Sequence, residues 1–346
     1  MKTEKLNIYK IAQKVGVSIA TISRAINPET RKRVASGTLK KIDKLIHKYG
    51  YTPNLAAKNL TLASTKTIGL VFPYLPGIFY SNYYNHILAG VSNCLYETGY
   101  QFKMLLLKEE KGKWDNYDFK AGERVDGLLI THWFKYFNDK SIIGKMNVPC
   151  VIINDIDKTI KAQFVGVDHY LGGQIAANHL YSSGHRRIAV LSGPDWSIDN
   201  KYRINGFRAF LKKKGIVIKS DLIVKADYLE HVAYGEIEKI LKVDPKITAI
   251  FACNDQMAFG AIRRLKEIGI SCPDDISVIG FDDEIEAAKF DPPLTTIRVP
   301  IYDLATEGTK LLVNYLQNNT SKKPFRGILT LPVQLVDRKS AINITA

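Results

Sequence analysis

Three short stretches at the amino end carry apolar residues at helical spacing. Ile8, Ile11, Ala12 and Val15 follow i, i+3, i+4, i+7 and predict a first helix. Gly16 permits a tight turn and Ser18 is a good N-cap; Ile22, Ala25 and Ile26 then form the inward face of a second helix. Leu39, Ile42, Leu45, Ile46 and Tyr49 mark a third, stopped by Gly50. Beyond Thr67 the pattern changes. The runs "TIGLVF", "FKMLLL", "DGLLI", "CVIIN", "RIAVLS", "TAIFAC" and "ISVIGF" are continuously apolar and alternate with longer amphipathic stretches. Gly99, Gly184, Gly215 and Gly269 stand where those helices should stop. Strands apolar on both sides predict parallel sheets covered on both faces, a doubly wound α/β arrangement. The 280 residues after position 66 suffice for two such lobes. No sequence repeat accompanies this architectural repetition.

Charge sharpens the picture. The 346-residue chain has 46% hydrophobic and 24% charged residues, a soluble composition too long for one ordinary compact domain. Its net charge of +15 is uneven: residues 1–66 hold fourteen Lys/Arg against three Asp/Glu, leaving 35 against 31 for the rest. Such local basicity favours a polyanionic partner, and a merely solvated basic tail would lack the apolar periodicity. Two helices joined by a Gly-containing turn, with a third bracing them, form a helix-turn-helix whose second helix can enter the major groove. Ala20, Ser23, Arg24 and Asn27 project outward, and Ser18, Ile19 and Thr21 complete the candidate DNA-contacting set. Arg24 can donate two hydrogen bonds to guanine, while Ala20 allows close approach or meets a thymine methyl. The alternative is a small helical bundle with an ordinary polar face.

Catalysis finds no support. There is no GxGxxG opening a helix after a strand, no GxxxxGK[ST], no HExxH and no GxSxG. The seven histidines show no metal-ligand spacing, and His179 and His185 read as surface or structural. Cys94, Cys150, Cys253 and Cys272 are far apart beside apolar stretches and are expected as buried, reduced thiols. No cofactor or metal is expected. "MKTEKLNIYK" has no apolar signal core and no run approaches membrane-spanning length, so a cytoplasmic protein is expected.

The opening "IYKIAQKVGVSIATISRAIN", then "YGYTPNLAAKNL" and "TKTIGLVFP", resembles the headpiece, hinge and first core strand of the LacI/GalR family of bacterial repressors. The likeness continues in family order through "VDGLLI", "GHRRIAVLSG", "RINGF", "FACNDQMAFGAIRRLKEIGI", "SVIGFDD", "PPLTTI" and "LPVQLVDRKS". It implies a lambda-repressor-like headpiece at 1–52, a hinge helix and linker at 53–66, and an effector-binding and dimerisation core at 67–346. That core would have the type I periplasmic-binding-protein-like fold, with an N-lobe at roughly 67–167 and 297–328 and a C-lobe at roughly 168–296 and 329–346. "PNLAAKNL" is too short for an isolated helix, so it should fold only against something. The resemblance implies pairing across a dimer in the minor groove, with Leu60 as a wedge between base steps and Lys58 as a phosphate contact. A plain interdomain linker is the alternative. Three departures stand out: Lys10 replaces a common Asp, Ala35 replaces a frequent capping Ser, and "PYLPGIFYSNYYNHILAG" is a few residues longer than usual.

Ligands of open α/β sheets sit beyond the carboxyl ends of strands. Asp195 to Arg203, Asn254-Asp255 and Asp282-Asp283 fall there. The resemblance makes Arg203, Asn254 and Asp282 effector contacts: a donor fork, an amide and a carboxylate suited to vicinal hydroxyls. Phe79, Tyr80 and Trp196 are the aromatic candidates, and Asp168 is a further pocket candidate. Against these, Arg203 could be a surface ion-pair partner, Asp255 and Asp283 are expected to cap the helices they precede, and part of the Phe79, Tyr80, Tyr83, Tyr84 cluster should be packing. Arg203→Ala should abolish ligand response while leaving DNA binding. The expectation is a transcriptional regulator; the alternatives are a solute-binding protein of transport type, which has no use for a basic head, and a ligand-independent architectural DNA-binding protein. A sugar or sugar derivative is the effector implied by the family. Without a trailing leucine heptad, a dimer on a pseudo-palindromic operator is expected.

Overall fold

The computed structural model describes residues 7–27, 30–51, 64–74, 78–107, 109–110, 113–114, 125–131, 148–318 and 325–345. The chain divides into two compact units, Met1–Thr65 and Lys66–Ala346.

In the first unit, α1 (Ile8–Val15) starts at Asn7, whose side chain accepts from the Lys10 N–H at 3.0 Å. Gly16 ends it in the left-handed conformation (φ 75°), which lets the chain reverse within two residues. Ser18 caps α2 (Ile19–Ile26) by accepting from the Thr21 N–H, and α3 (Ser36–Tyr49) stops at left-handed Gly50. Ile11, Ala12, Ile22, Ala25, Val34 and Ile42 form the small core. Arg31 donates to the Ala25 carbonyl at 2.8 Å and pairs with Asp43 at 2.5 Å, so this half-exposed cation ties the end of α2 to α3. Ala35, at the cap of α3, supplies no side-chain acceptor. Ala35→Ser is expected to stabilise the headpiece by about 1 kcal/mol, read as a rise in its denaturation midpoint.

The second unit holds two six-stranded sheets. Beta strands β1 (Thr67–Pro73), β2 (Gln101–Leu107), β5 (Gly127–Thr131), β6 (Cys150–Ile153), β7 (Gln163–Val167) and β13 (Gly327–Leu331) form the first, in the order β13-β7-β6-β5-β1-β2, all parallel. The second uses β8 (Ile188–Ser192), β9 (Ile223–Lys225), β10 (Ala249–Ala252), β11 (Ser277–Asp282), β12 (Thr295–Arg298) and β14 (Gln334–Val336), ordered β14-β12-β11-β10-β8-β9. Only β14 runs antiparallel to its neighbour. A two-stranded ribbon joins β3 (Glu109–Glu110) to β4 (Lys113–Trp114). The helices are α4 (Asn82–Tyr96), α5 (His169–Ser182), α6 (Ile198–Lys213), α7 (Glu230–Val243), α8 (Asp255–Glu267) and α9 (Ile301–Asn318).

Central strands are buried on both faces, as continuous apolar runs dictate. At the edge, β2 alternates instead, leaving Gln101, Lys103 and Leu106 exposed. Gly99, Gly184, Gly215 and Gly269 all take positive φ after their helices. Of the four free cysteines, Cys150 and Cys253 are buried while Cys94 and Cys272 are only half-buried, because the latter sit on a helix flank and in a loop. His185 is buried between Thr248 and the Ile342 carbonyl, a structural role. The chain leaves the second sheet after Arg298 and the first after Leu331, a few residues beyond the changes expected at 297 and 329. Pairing partners, which a linear pattern does not display, set those strand ends.

Both sheets reverse strand order after their first strand, between β1 and β5 and between β8 and β10. Such switch points open a crevice at the carboxyl ends of the strands.

Candidate operator-reading face and effector cleft

On α2, burial of Ile22 and Ala25 turns Ile19, Ala20, Ser23 and Arg24 to solvent. Exposing a large apolar side chain such as Ile19 leaves it available for a partner. Arg24 makes no ion pair or side-chain hydrogen bond among the described residues, so its guanidinium fork is available. Ser18 and Thr21 are engaged in the cap, their hydroxyls 2.9 Å apart, which places both at the helix start rather than along the open face. Asn27 is half-buried and closes α2 through its backbone N–H to the Ser23 carbonyl. Lys58 and Leu60 lie outside the described residues.

In the second unit, Arg203 on α6 is 2% exposed and sits beneath the β8/β10 switch point. Its Nη2 is 3.0 Å from Asp282 Oδ1 and 3.3 Å from Asp199 Oδ2, one turn earlier on α6. Nη1 donates to the Cys253 carbonyl at 2.5 Å, Nε donates to His169 Nδ1 at 3.3 Å, and the guanidinium lies 3.9 Å from the Phe281 ring centroid. Burial alone would lower the guanidinium's pKa, but the Asp282 charge, with Asp199 behind it, holds it above the ordinary arginine value. Asp282 shows the reverse balance. Burial pushes its carboxyl up to about 6 against the lowering pull of Arg203. Its Oδ1 is sealed from solvent and paired in charge, yet has no well-aligned hydrogen bond. Asp282 (φ 114°) and Asp283 (φ 59°) are both in the left-handed half of backbone space, strain that this packing must hold in place.

Asn254 caps α8, accepting from the Met257 N–H at 3.0 Å, and its amide donates to the Tyr228 carbonyl at 3.3 Å. The capping expected of Asp255 thus belongs to its neighbour. Asp255 is instead a buried brace, accepting from the Glu284 N–H at 2.7 Å and the Thr296 hydroxyl at 2.5 Å. Asp283 is likewise no cap: Arg298 (2.6 Å) and Arg338 (2.7 Å) grip its carboxylate. Both depart from expectation because the strand ends on either side bring other donors closer than the following helix does. Asp168 is exposed and caps α5 through the Leu171 N–H.

Phe79 is 39% exposed and packs edge-on against Phe72, ring centroids 6.4 Å apart; Trp196 is also 39% exposed, in the loop after β8. Tyr80 is in the same short 3-10 turn as Phe79, and its side chain lies outside the described residues. Tyr83 and Tyr84 meet edge to face at 5.1 Å. Burial first, then the charge of Asp155, raises both phenols, with Asp199 also contributing, so the first residues of α4 feel carboxylates from both lobes. A cavity of about 170 Å³ opens here, lined by Tyr83, Asp282, Glu284, Arg298 and Tyr302 among others. Burial pushes the Glu284 carboxyl up to about 7 despite the hydrogen bond that it accepts from Gln256. Asp199, Tyr228, His169 and Phe281 were absent from the expected set. Only Asp199 was legible, through its i, i+4 spacing from Arg203; the others arrive from distant segments.

A profile described as "Bacterial regulatory proteins, lacI family" matches residues 7–54, and one described as "Periplasmic binding protein-like domain" matches residues 177–341. The HTH-type transcriptional regulator DegA of Bacillus subtilis (strain 168) is 31% identical over 340 residues, covering 97% of this chain and 98% of that protein. The chain belongs to the LacI family. Among solved structures, the lac repressor dimer bound to operator and the anti-inducer ONPF superposes with a TM-score of 0.80 at 25% identity, covering 98% of this chain and 100% of that one. A transcriptional regulator CelR–cellobiose complex gives 0.70 at 25% identity, with 97% and 100% covered. This LacI-family chain is a transcriptional repressor with a DNA-binding and an effector domain, and it is not an enzyme. Among the described residues no helix is long and apolar enough to cross a membrane.

Proposed function

We propose that this chain acts in the bacterial cytoplasm as a homodimeric repressor, bound to the nucleoid at a pseudo-palindromic operator and controlled by a sugar or sugar derivative. The observation that carries the effector half is the pairing of Arg203 with Asp282, with Asn254 also following a strand of the same sheet, at the carboxyl ends of the strands. Asp282 Oδ1, buried and without an aligned donor, suits a ligand hydroxyl. The cellobiose held by the CelR neighbour fits the same chemistry. Phe79, Tyr80 and Trp196 would supply apolar faces, and Asp168 takes part only through the α5 cap it makes.

The operator half rests on the open face of α2. Ile19, Ala20, Ser23 and Arg24 read base edges, Ser18, Thr21 and Asn27 hold that face and reach the backbone, and Lys58 and Leu60 act in the minor groove. Ligand binding between the lobes shifts the population of lobe arrangements, and by linkage operator DNA shifts ligand affinity equally. Gel-shift titration of matched and scrambled palindromes, with and without cellobiose and a monosaccharide panel, tests the whole reading. A matched-site preference that responds to one sugar supports it. Equal binding to scrambled sites identifies an architectural DNA-binding protein instead.

Arg24→Ala is expected to cost about 1–3 kcal/mol of operator binding while leaving binding to scrambled DNA nearly intact. Equal weakening on both duplexes would assign Arg24 to phosphate alone.

A further inference from the structure

His169 lies where the chain passes from β7 of the first sheet into α5, which packs on the second. It is 4% exposed. Its Nδ1 is 3.3 Å from Arg203 Nε, and its Nε2 is 3.1 Å from Asn154 Oδ1. Arginine can only donate, so Nδ1 accepts and Nε2 carries the ring's one proton, which it donates to Asn154. Burial first and the Arg203 charge second push the imidazole down to about 3, so the neutral ring keeps this direction at working pH. Asn154 belongs to the other side. It follows β6, is 2% exposed, and its N–H bonds the Val165 carbonyl of β7 at 2.7 Å. Its φ of 72° is a conformation that asparagine tolerates better than most residues, and it lets the amide reach back to the ring.

We propose that His169 is a positioning residue that couples the two lobes, orienting Arg203 in the effector cleft and transmitting its position to the first sheet through Asn154. The chain crosses between the sheets at three places: through Asp168, between Arg298 and Ile301, and between Leu331 and Gln334. Any rotation about them must carry this hydrogen-bonded line or break it. Breaking it is costly. Each member is nearly solvent-free, so a severed bond leaves a buried donor or acceptor unmet. The line therefore favours two discrete arrangements over a continuum. Its consequence at the operator rests on the effector role proposed above, but the lobe coupling does not.

The test uses the full chain. Spin labels at Tyr96→Cys on the first lobe and Val217→Cys on the second, both highly exposed positions, report the interlobe distance after Cys94 and Cys272 are replaced by alanine. His169→Leu removes donor and acceptor at similar volume. His169→Gln keeps one of each. Asn154→Gly removes the amide at a backbone angle glycine adopts freely, which preserves the fold. His169→Leu and Asn154→Gly are expected to change the distance distribution alike, the double variant no further than either, and His169→Gln to restore it. Operator affinity of the ligand-free protein should shift by about 2- to 30-fold in the same non-additive pattern. Unchanged distances with merely lowered thermal midpoints, additive effects, or failure of glutamine to restore would each overturn the proposal. If distances follow the pattern while no duplex is bound even by the parent chain, the coupling stands and the operator reading fails.

Discussion

Arg203→Ala is expected to lower the stability of the effector core by about 3–5 kcal/mol at neutral pH, far more than the loss of one ligand contact. The guanidinium lies between two carboxylates, Asp199 and Asp282, under a carbonyl and against an aromatic ring. Its removal takes a close cation from two nearly buried anions, and it vacates a packed volume as well. The sign of the pH dependence follows. With Arg203 gone, the Asp282 carboxyl rises further above its unfolded value, from a level already near 6. A raised carboxyl destabilises the fold above that pKa, and the penalty fades as pH falls through it. The deficit measured by urea denaturation should therefore shrink at about pH 5 relative to about pH 7.5. Arg203→Lys should recover only part, because one ammonium cannot match a fork that serves Asp199, Asp282, Cys253 and His169 together. An alanine variant as stable as the parent at both pH values would mean that Arg203 is a surface-type partner. The sequence-based expectation that this substitution abolishes ligand response while leaving DNA binding is thus revised: response is expected to be lost together with core stability.

That revision shows where the linear pattern stops being informative. Helix faces, caps and stops are local, so Ser18, Gly16 and Gly50 could be assigned from spacing, and the continuously apolar strands disclosed two covered sheets. Short edge strands such as β9 and β14 escaped because three residues carry no readable period. The cleft was half legible. Arg203, Asn254 and Asp282 follow strands whose order could be anticipated, and the structure gathers Arg203 with Asp282. Whether a polar residue after a strand faces a ligand, caps a helix or braces a loop depends on which donors arrive from elsewhere. Asp255 meets Thr296 and Glu284 in space, whereas Asp168 caps its own helix. His169 and Asn154 had no local mark at all, since their partner arrives from another element.

Gly206→Ala is expected to be the most damaging single methyl addition in the core. A Cβ on Gly206 would be 1.9 Å from the Tyr170 carbonyl oxygen, and one on Gly173 would be 2.0 Å from the Arg203 carbonyl oxygen. Helices α5 and α6 therefore cross backbone to backbone, with no flexible side chain between them to yield. Restoring ordinary contact requires the two helices to part by roughly 1.5 Å, which breaks close packing along both. Overpacking a yielding site costs about 1–3 kcal/mol; a rigid backbone crossing should reach the top of that range or exceed it. The separation also moves function, because α6 carries Asp199 and Arg203 while α5 begins at His169. Thermal denaturation of Gly206→Ala should fall by several degrees, at roughly 2–4 °C per kcal/mol for a core of this size. Gly173→Ala should fall similarly, and the double variant by less than the sum, since one separation accommodates both methyls. Gly235→Ala is the internal control: that glycine is inside α7 with nothing within 4 Å of an added Cβ, so the same methyl should stabilise by about 0.5–1 kcal/mol through helix propensity. Opposite signs at Gly206 and Gly235 would locate the cost in the crossing itself, whereas equal, small effects would show that α5 and α6 are not in backbone contact.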